Sequence, residues 1–244
     1  MEASYFFDDF PIGGVVYFGY NPSMEWNSNN SRRNLMKLTK ILPSSLAAGF
    51  CIGLGGAVFL LQTEKLVGAV LFCIGLCTIC EMQFHLFTGR VCYALEQPLW
   101  RWLQFPVIWI GNWLGAGLAA NLLFLTRMGP AARKAAQALV MAKNGDTFLS
   151  LFVLGFFCNI FVFIAVEGYK TFPHVLGKYL AVFVGITVFI MSGYEHSVAD
   201  MFYYFMAGQM DQETLVRLLV ITAGNVCGGI TAWGARQAGR RAAR

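Results

Sequence analysis

Charge is what this sequence has least of. Only 13% of its 244 residues are Asp, Glu, Lys or Arg, against about 25% in soluble globular proteins. With 57% of residues hydrophobic, an ordinary soluble domain is excluded and a polytopic membrane protein is indicated. The net charge of +5 is then no sign of nucleic-acid binding, because basic residues also set membrane orientation. A cleavable leader is not expected, since residues 1–31 lack a basic region ahead of an apolar core. The seven cysteines, at 51, 73, 77, 80, 92, 158 and 227, all fall in apolar stretches. Cys77-Thr78-Ile79-Cys80 matches CxxC in form, but inside an apolar helix small buried thiols are expected rather than a metal or redox pair.

What the chain has is long apolar runs, arranged around one interruption, Ser192-Gly193-Tyr194-Glu195-His196-Ser197-Val198-Ala199-Asp200-Met201-Phe202. Residues 179–191 before it and 201–208 after it are apolar. Ionisable groups at membrane depth cost several kcal/mol and mark cavities or pathways. The Ser-Gly pair predicts a broken helix, which membranes tolerate where the freed backbone faces protein or water. A kinked helix around a hydrogen-bonded polar cluster is the plainer alternative, and a similar break earlier in the chain weighs against it.

In chain order, residues 1–40 read as a coil followed by a short basic amphipathic helix at the membrane surface, over 32–40. Span one is predicted at 41–61, rich in small residues that favour close helix packing, and residues 62–65 form a polar turn. Span two is interrupted by Glu81, His85, Thr88, Gly89 and Arg90, giving one half-helix at 66–84 and another at 90–95. Span three follows at 102–125, a polar and partly helical connector at 127–146, and span four at 147–166. Span five is the broken helix, span six covers 215–233, and 236–244 is a basic tail.

The halves repeat. Asn112-x-x-Gly115 recurs as Asn225-x-x-Gly228, 113 residues on; Glu81 and Glu195 precede the two breaks, 114 apart; Gly49-Phe50 recurs as Gly155-Phe156. Three spans per half forces opposite insertion of the two copies, and an inverted repeat with matched broken helices points to a transport site at the midplane. The predicted fold is therefore an all-α polytopic membrane protein of six transmembrane spans, in two inverted three-span repeats with spans two and five broken, an aquaporin-like architecture. With both termini cytoplasmic, twelve Lys and Arg fall inside and six outside, as the positive-inside rule asks. The basic residues of the outer connector are compatible with an anion-attracting vestibule.

Leu86-Phe87-Thr88-Gly89 in the first break resembles the LFTG-type loop of the formate/nitrite transporter family. The second break, Gly193-Tyr194-Glu195-His196-Ser197-Val198-Ala199-Asp200-Met201-Phe202, is similar to that family's GFEHSxANMF-type signature. Asn159 and the two Asn-x-x-Gly motifs fit as well, and the likeness runs over about residues 32–235. It implies a homopentamer in the plasma (inner) membrane, with a pore in each protomer for small monovalent anions or their acids. Formate or nitrite is the expected solute, with a proton as co-substrate, no cofactor and no enzymatic activity. His85 and Arg90 depart from the usual acidic and small polar residues, and Asp200 replaces the usual Asn.

Within that resemblance Thr88 and His196 are expected to meet an anion at the midplane, through a hydroxyl and an imidazole N–H. Histidine suits the place because it titrates near neutrality, so a proton can move with the anion. By resemblance, Phe72, Leu76, Leu86, Phe87, Val162 and Phe189 line apolar constrictions, which stop hydrated ions by dewetting. Lys143, with Asn159, resembles the outer vestibule and Lys40 the inner one, raising local anion concentration. Glu81 and Glu195 are expected to brace the breaks by accepting backbone N–H bonds, and Asp200 to orient the His196 ring or cap the second half-helix.

Other readings are hydrosulfide, lactate or acetate as the solute. An intramembrane metalloenzyme would use Glu81 and His85 at i, i+4 with His196, Glu195 and Asp200. A water or glycerol channel lacks its paired Asn-Pro-Ala sequence here.

Overall fold

The computed structural model describes residues 28–242, with side chains from residue 41. Residues 36–244 fall into one compact unit, and the packing below is that of this unit. Among the described residues the regular elements are helical: α1 (Ser28–Leu60), α2 (Lys65–Met82), α3 (Phe87–Val91), α4 (Gln104–Phe124), α5 (Gly129–Asn144), α6 (Phe148–Thr171), α7 (Val175–Met191), α8 (Ser197–Ala207) and α9 (Gln212–Ala242). Two 3-10 turns, Ala94–Glu96 and Leu99–Leu103, join α3 to α4. Residues 28–40 form the start of α1; residues 1–27 and the side chains of 28–40, Lys40 among them, lie outside the described residues, and with them the expected surface role of residues 1–40.

Five stretches are long and apolar enough to cross a membrane: Ile41–Leu60, Lys65–Met82, Leu99–Phe124, Phe148–Thr171 and Gln212–Ala242. The 17-residue α7 is apolar but shorter, about 26 Å at 1.5 Å per residue. Helix ends follow local chemistry. Thr147 caps α6 by accepting from the Ser150 N–H, and Asp211 accepts from the Thr214 N–H at the start of α9. Each satisfies a donor that the first helical turn leaves over. Gly208 ends α8 in the left-handed region, at φ 74°.

Packing pairs α6 with α9 and α7, α4 with α8, α2 with α7, and α5 with α8. Small residues set the closest approaches. A Cβ on Gly115 of α4 would overlap the Leu46 carbonyl of α1, and one on Gly228 of α9 would overlap that of Phe156 on α6.

The two breaks share one hydrogen-bond pattern. Gln83 and Gly193 both take positive φ, 56° and 71°. The next residues, Phe84 and Tyr194, reach back to the carbonyls of Ile79 and Phe189. Arg90 and Asp200 donate to the carbonyls of Leu86 and His196, both at 2.9 Å, opening the second half-helices. Each pair is 110 residues apart, which corrects two sequence pairings. Glu195 corresponds to His85, not to Glu81, and Gly155 to Ser45, not to Gly49. The 113-residue offset holds only for α4 and α9, because three more residues separate Ser197 from Asn225 than Phe87 from Asn112.

Several boundaries also move. The second half-helix of the first break starts at Phe87 rather than at 90, because the Asn112 side chain accepts from the Phe87 N–H and supplies the missing cap. The first half ends at Met82, where Gln83 turns left-handed. The last helix runs to Ala242, through the segment expected as a tail; arginine is a good helix former, and Arg236 is tied to Glu167 of α6.

Candidate functional site

Each break is held by one asparagine from the third long helix of its half. Asn112 on α4 accepts from the Phe87 N–H at 2.8 Å and donates to the Ser45 and His85 carbonyls at 2.7 and 2.9 Å. Asn225 on α9 repeats this, accepting from the Ser197 N–H at 2.9 Å and donating to the Gly155 and Glu195 carbonyls at 2.8 and 2.9 Å. Both asparagines are fully buried. A primary amide offers an acceptor and two donors in one plane, so one side chain satisfies three backbone groups that the interrupted helices leave open.

The half-helices so placed bring Thr88 and His196 together, Oγ1 to Nε2, at 2.9 Å. His196 precedes α8 as its cap, and its Nδ1 accepts from the Ala199 N–H at 3.1 Å. Because a backbone N–H can only donate to a bare ring nitrogen, the proton sits on Nε2 and is donated to Thr88. The imidazole stacks on Phe189, with centroids 5.7 Å apart and planes 17° apart. Thr88 has no exposed surface, and its carbonyl accepts from Asn159 Nδ2.

Phe72, Leu76, Leu86, Phe87, Val162 and Phe189 are all buried, none more than 5% exposed, and of these Phe189 lies against the His196 ring. The Phe72 and Phe189 rings meet edge to face at 6.3 Å, and Phe87 meets Phe105 likewise at 6.4 Å. Asn159, which the sequence groups with Lys143, instead donates to the carbonyls of Thr88 and Asn225.

Lys143, at the end of α5, points onto α8. Its ammonium contacts Glu195 and lies 2.8 Å from Asp200 Oδ1. Burial pulls this lysine toward its neutral form, but Asp200 and then Glu195 outweigh that and hold it above the ordinary lysine range. Arg217 of α9 fixes the lysine's backbone by donating to the Lys143 and Asp146 carbonyls at 3.1 and 3.0 Å.

The acidic residues therefore differ from expectation. Glu81 does not brace a break; it is exposed and accepts from the Tyr169 and Tyr179 hydroxyls, both at 2.6 Å. The Glu195 carboxylate turns to Lys143, while its backbone carbonyl is what Asn225 holds. Asp200 neither orients the His196 ring nor caps α8, because His196 is itself the cap. Glu81 and His85 do not share a helical face, since α2 ends between them at Met82, and His85 Nδ1 bonds Ser44 at 2.7 Å. Asn112 and Asn225 were visible as a repeated motif, yet nothing in the motif said which backbone groups they hold.

The profile of the formate/nitrite transporter family matches residues 26–237. The formate channel FocA of Haemophilus influenzae is 29% identical over 185 residues, 65% of this chain and 63% of that protein. The nitrite transporter NirC of Salmonella typhimurium is 28% identical over 221 residues, 78% and 79% of the two chains. Among solved structures, one described as an FNT family ion channel aligns with TM-score 0.75 at 25% identity, covering 86% of this chain and 94% of that one. A pentameric formate channel with formate bound aligns with TM-score 0.71 at 23% identity, covering 83% and 96%. With the paired breaks in place and the family profile spanning nearly the whole described chain, this protein belongs to the formate/nitrite transporter family.

Proposed function

We propose that this protein passes small monovalent anions, formate or nitrite first among them, across the plasma membrane through the Thr88–His196 centre. The carrying observation is that contact: two polar side chains from two half-helices, buried together among apolar residues. An anion arriving there meets the Nε2–H of His196, a Thr88 hydroxyl that can rotate to donate, and the N-terminal end of α8. The apolar residues on either side exclude hydrated ions. Hydrosulfide, lactate and acetate are the other solutes of matching charge.

Proton linkage belongs to the same proposal. A proton added to His196 has to sit on Nδ1, which displaces the Ala199 N–H and disturbs the first turn of α8. Protonation of the ring is thus coupled to movement at the start of the half-helix, and it creates the cation that an anion stabilises.

Six spans arise when α7 with α8 counts as one crossing beside the five long helices, which puts both termini on one face, the cytoplasmic one by the Lys and Arg distribution. Assembly as a homopentamer is supported by the pentameric relative. Uptake of labelled formate into proteoliposomes tests the function. Thr88→Val deletes one hydroxyl at nearly constant shape and is expected to slow uptake by about one to two orders of magnitude, the worth of a hydrogen bond to a charged solute. Unchanged uptake would leave Thr88 outside the pathway.

A further inference from the structure

The outer cluster holds two carboxyl groups for one ammonium. Lys143 contacts both Glu195 and Asp200. The Asp200 carboxyl also lies within hydrogen-bond reach of Glu195. All three side chains are enclosed, at 12%, 7% and 2% exposure for Lys143, Glu195 and Asp200. Asp200 Oδ2 is wholly buried and meets no donor among the described residues.

Neighbouring groups do not correct the imbalance. From α8 come the phenols of Tyr203 and Tyr204, from α6 the Cys158 thiol, and from the break His196, which its bond from Ala199 makes neutral. Arg217 of α9 is spent on Glu213 and on two backbone carbonyls, and residues 104–124 of α4 carry no ionisable side chain. Two carboxylates side by side in a site closed to water cannot both remain ionised against one cation, and an ionised oxygen without a donor is costly.

We propose that Glu195 and Asp200 share one proton at neutral pH, forming a proton-binding site distinct from His196. In that state a carboxyl hydrogen bridges the two groups, Lys143 neutralises the one remaining negative charge, and the cluster is uncharged. Loss of the proton as pH rises leaves one uncompensated negative charge a single helical turn from His196. That charge repels an entering anion, so the site sets an alkaline limit to uptake. This consequence, though not the proton site itself, rests on the transport reading above.

Infrared spectra of the full-length protein in lipid, compared in H2O and D2O, report protonated carboxyl groups directly through their deuterium-sensitive C=O stretch. The wild type is expected to show such a band at neutral pH that fades as pH rises, in step with formate uptake. Both Asp200→Asn and Glu195→Gln remove the shared proton, because the surviving carboxylate pairs with Lys143 alone, so both are expected to lack that band. Either variant suffices if the other does not fold, and Lys143→Met is expected to strengthen the band. No band in the wild type, or an undiminished band in folded Asp200→Asn or Glu195→Gln, overturns the proposal. A band that behaves as expected in a protein that moves no formate upholds the proton site and overturns the transport reading instead.

Discussion

At the scale of single residues, the two asparagines each hold three backbone groups at the breaks, and His196 is central to the proposed pathway. Asn225→Ala strands a buried N–H and two buried carbonyls, each worth about 1–3 kcal/mol when left unsatisfied. A loss of several kcal/mol, seen as failure to recover monodisperse protein in detergent, is expected. Asn121→Ala is the control: among the described residues that side chain bonds only the Gly117 carbonyl within its own helix, and its removal is expected to cost under about 1 kcal/mol. His196 has two roles that substitution can separate. Asn keeps an acceptor for the Ala199 N–H, whereas Phe does not, so His196→Phe is expected to be less stable than His196→Asn by about 1 kcal/mol in thermal melts. Both variants lose the Nε2–H donor, and both are expected to lose most of their anion uptake.

At the scale of elements, spans could be read from composition and breaks from the polar residues inside them, but the register of the repeat could not. Glu81 and Glu195 look alike in sequence and do different things, because a left-handed turn at Gln83 leaves Glu81 in the last turn of α2, ahead of the break. His85 stands at the equivalent place instead, and the chemical change from acid to imidazole hid the match. Lys143 was legible as a lysine near a vestibule, but not its carboxylate partners, which depend on how α5 folds onto α8. Close contacts between elements are equally invisible until they are built. Gly115→Val drives a side chain into the Leu46 carbonyl, and overpacking of this kind typically costs about 1–3 kcal/mol or more; lower thermal stability and poor assembly are the expected readouts. The start of α9 gives a pH test. The Thr214 N–H donated to Asp211 holds that exposed carboxyl below the usual aspartate range. Its folded-state pKa is depressed, so its stabilising effect is complete above the unfolded value near 3.8 and is lost as pH falls through the folded one. Asp211→Ala is therefore expected to lower the melting temperature at neutral pH, with the gap from wild type closing in strong acid.

At the scale of the whole molecule, the described surface is apolar where a soluble protein would be charged. Leu54, Leu66, Ile74, Leu149, Leu176 and Val184 are each about half exposed or more, on four different helices. Lipid and sister protomers are the surroundings that suit such a surface, and cross-linking in native membranes, read as a ladder ending at five, checks the proposed assembly. Inside this apolar body the polar groups are concentrated at the two breaks. There the asparagines fix the backbone, Lys143 neutralises carboxylate charge, and Thr88 and His196 meet between the half-helices. The central claim is that small anions cross at that meeting point. Its most direct test is the rate of labelled formate uptake into proteoliposomes, wild type against His196→Asn, at equal protein and equal driving force. Uptake in the wild type that falls by an order of magnitude or more in a folded variant is the predicted result; equal uptake by the two proteins would contradict it.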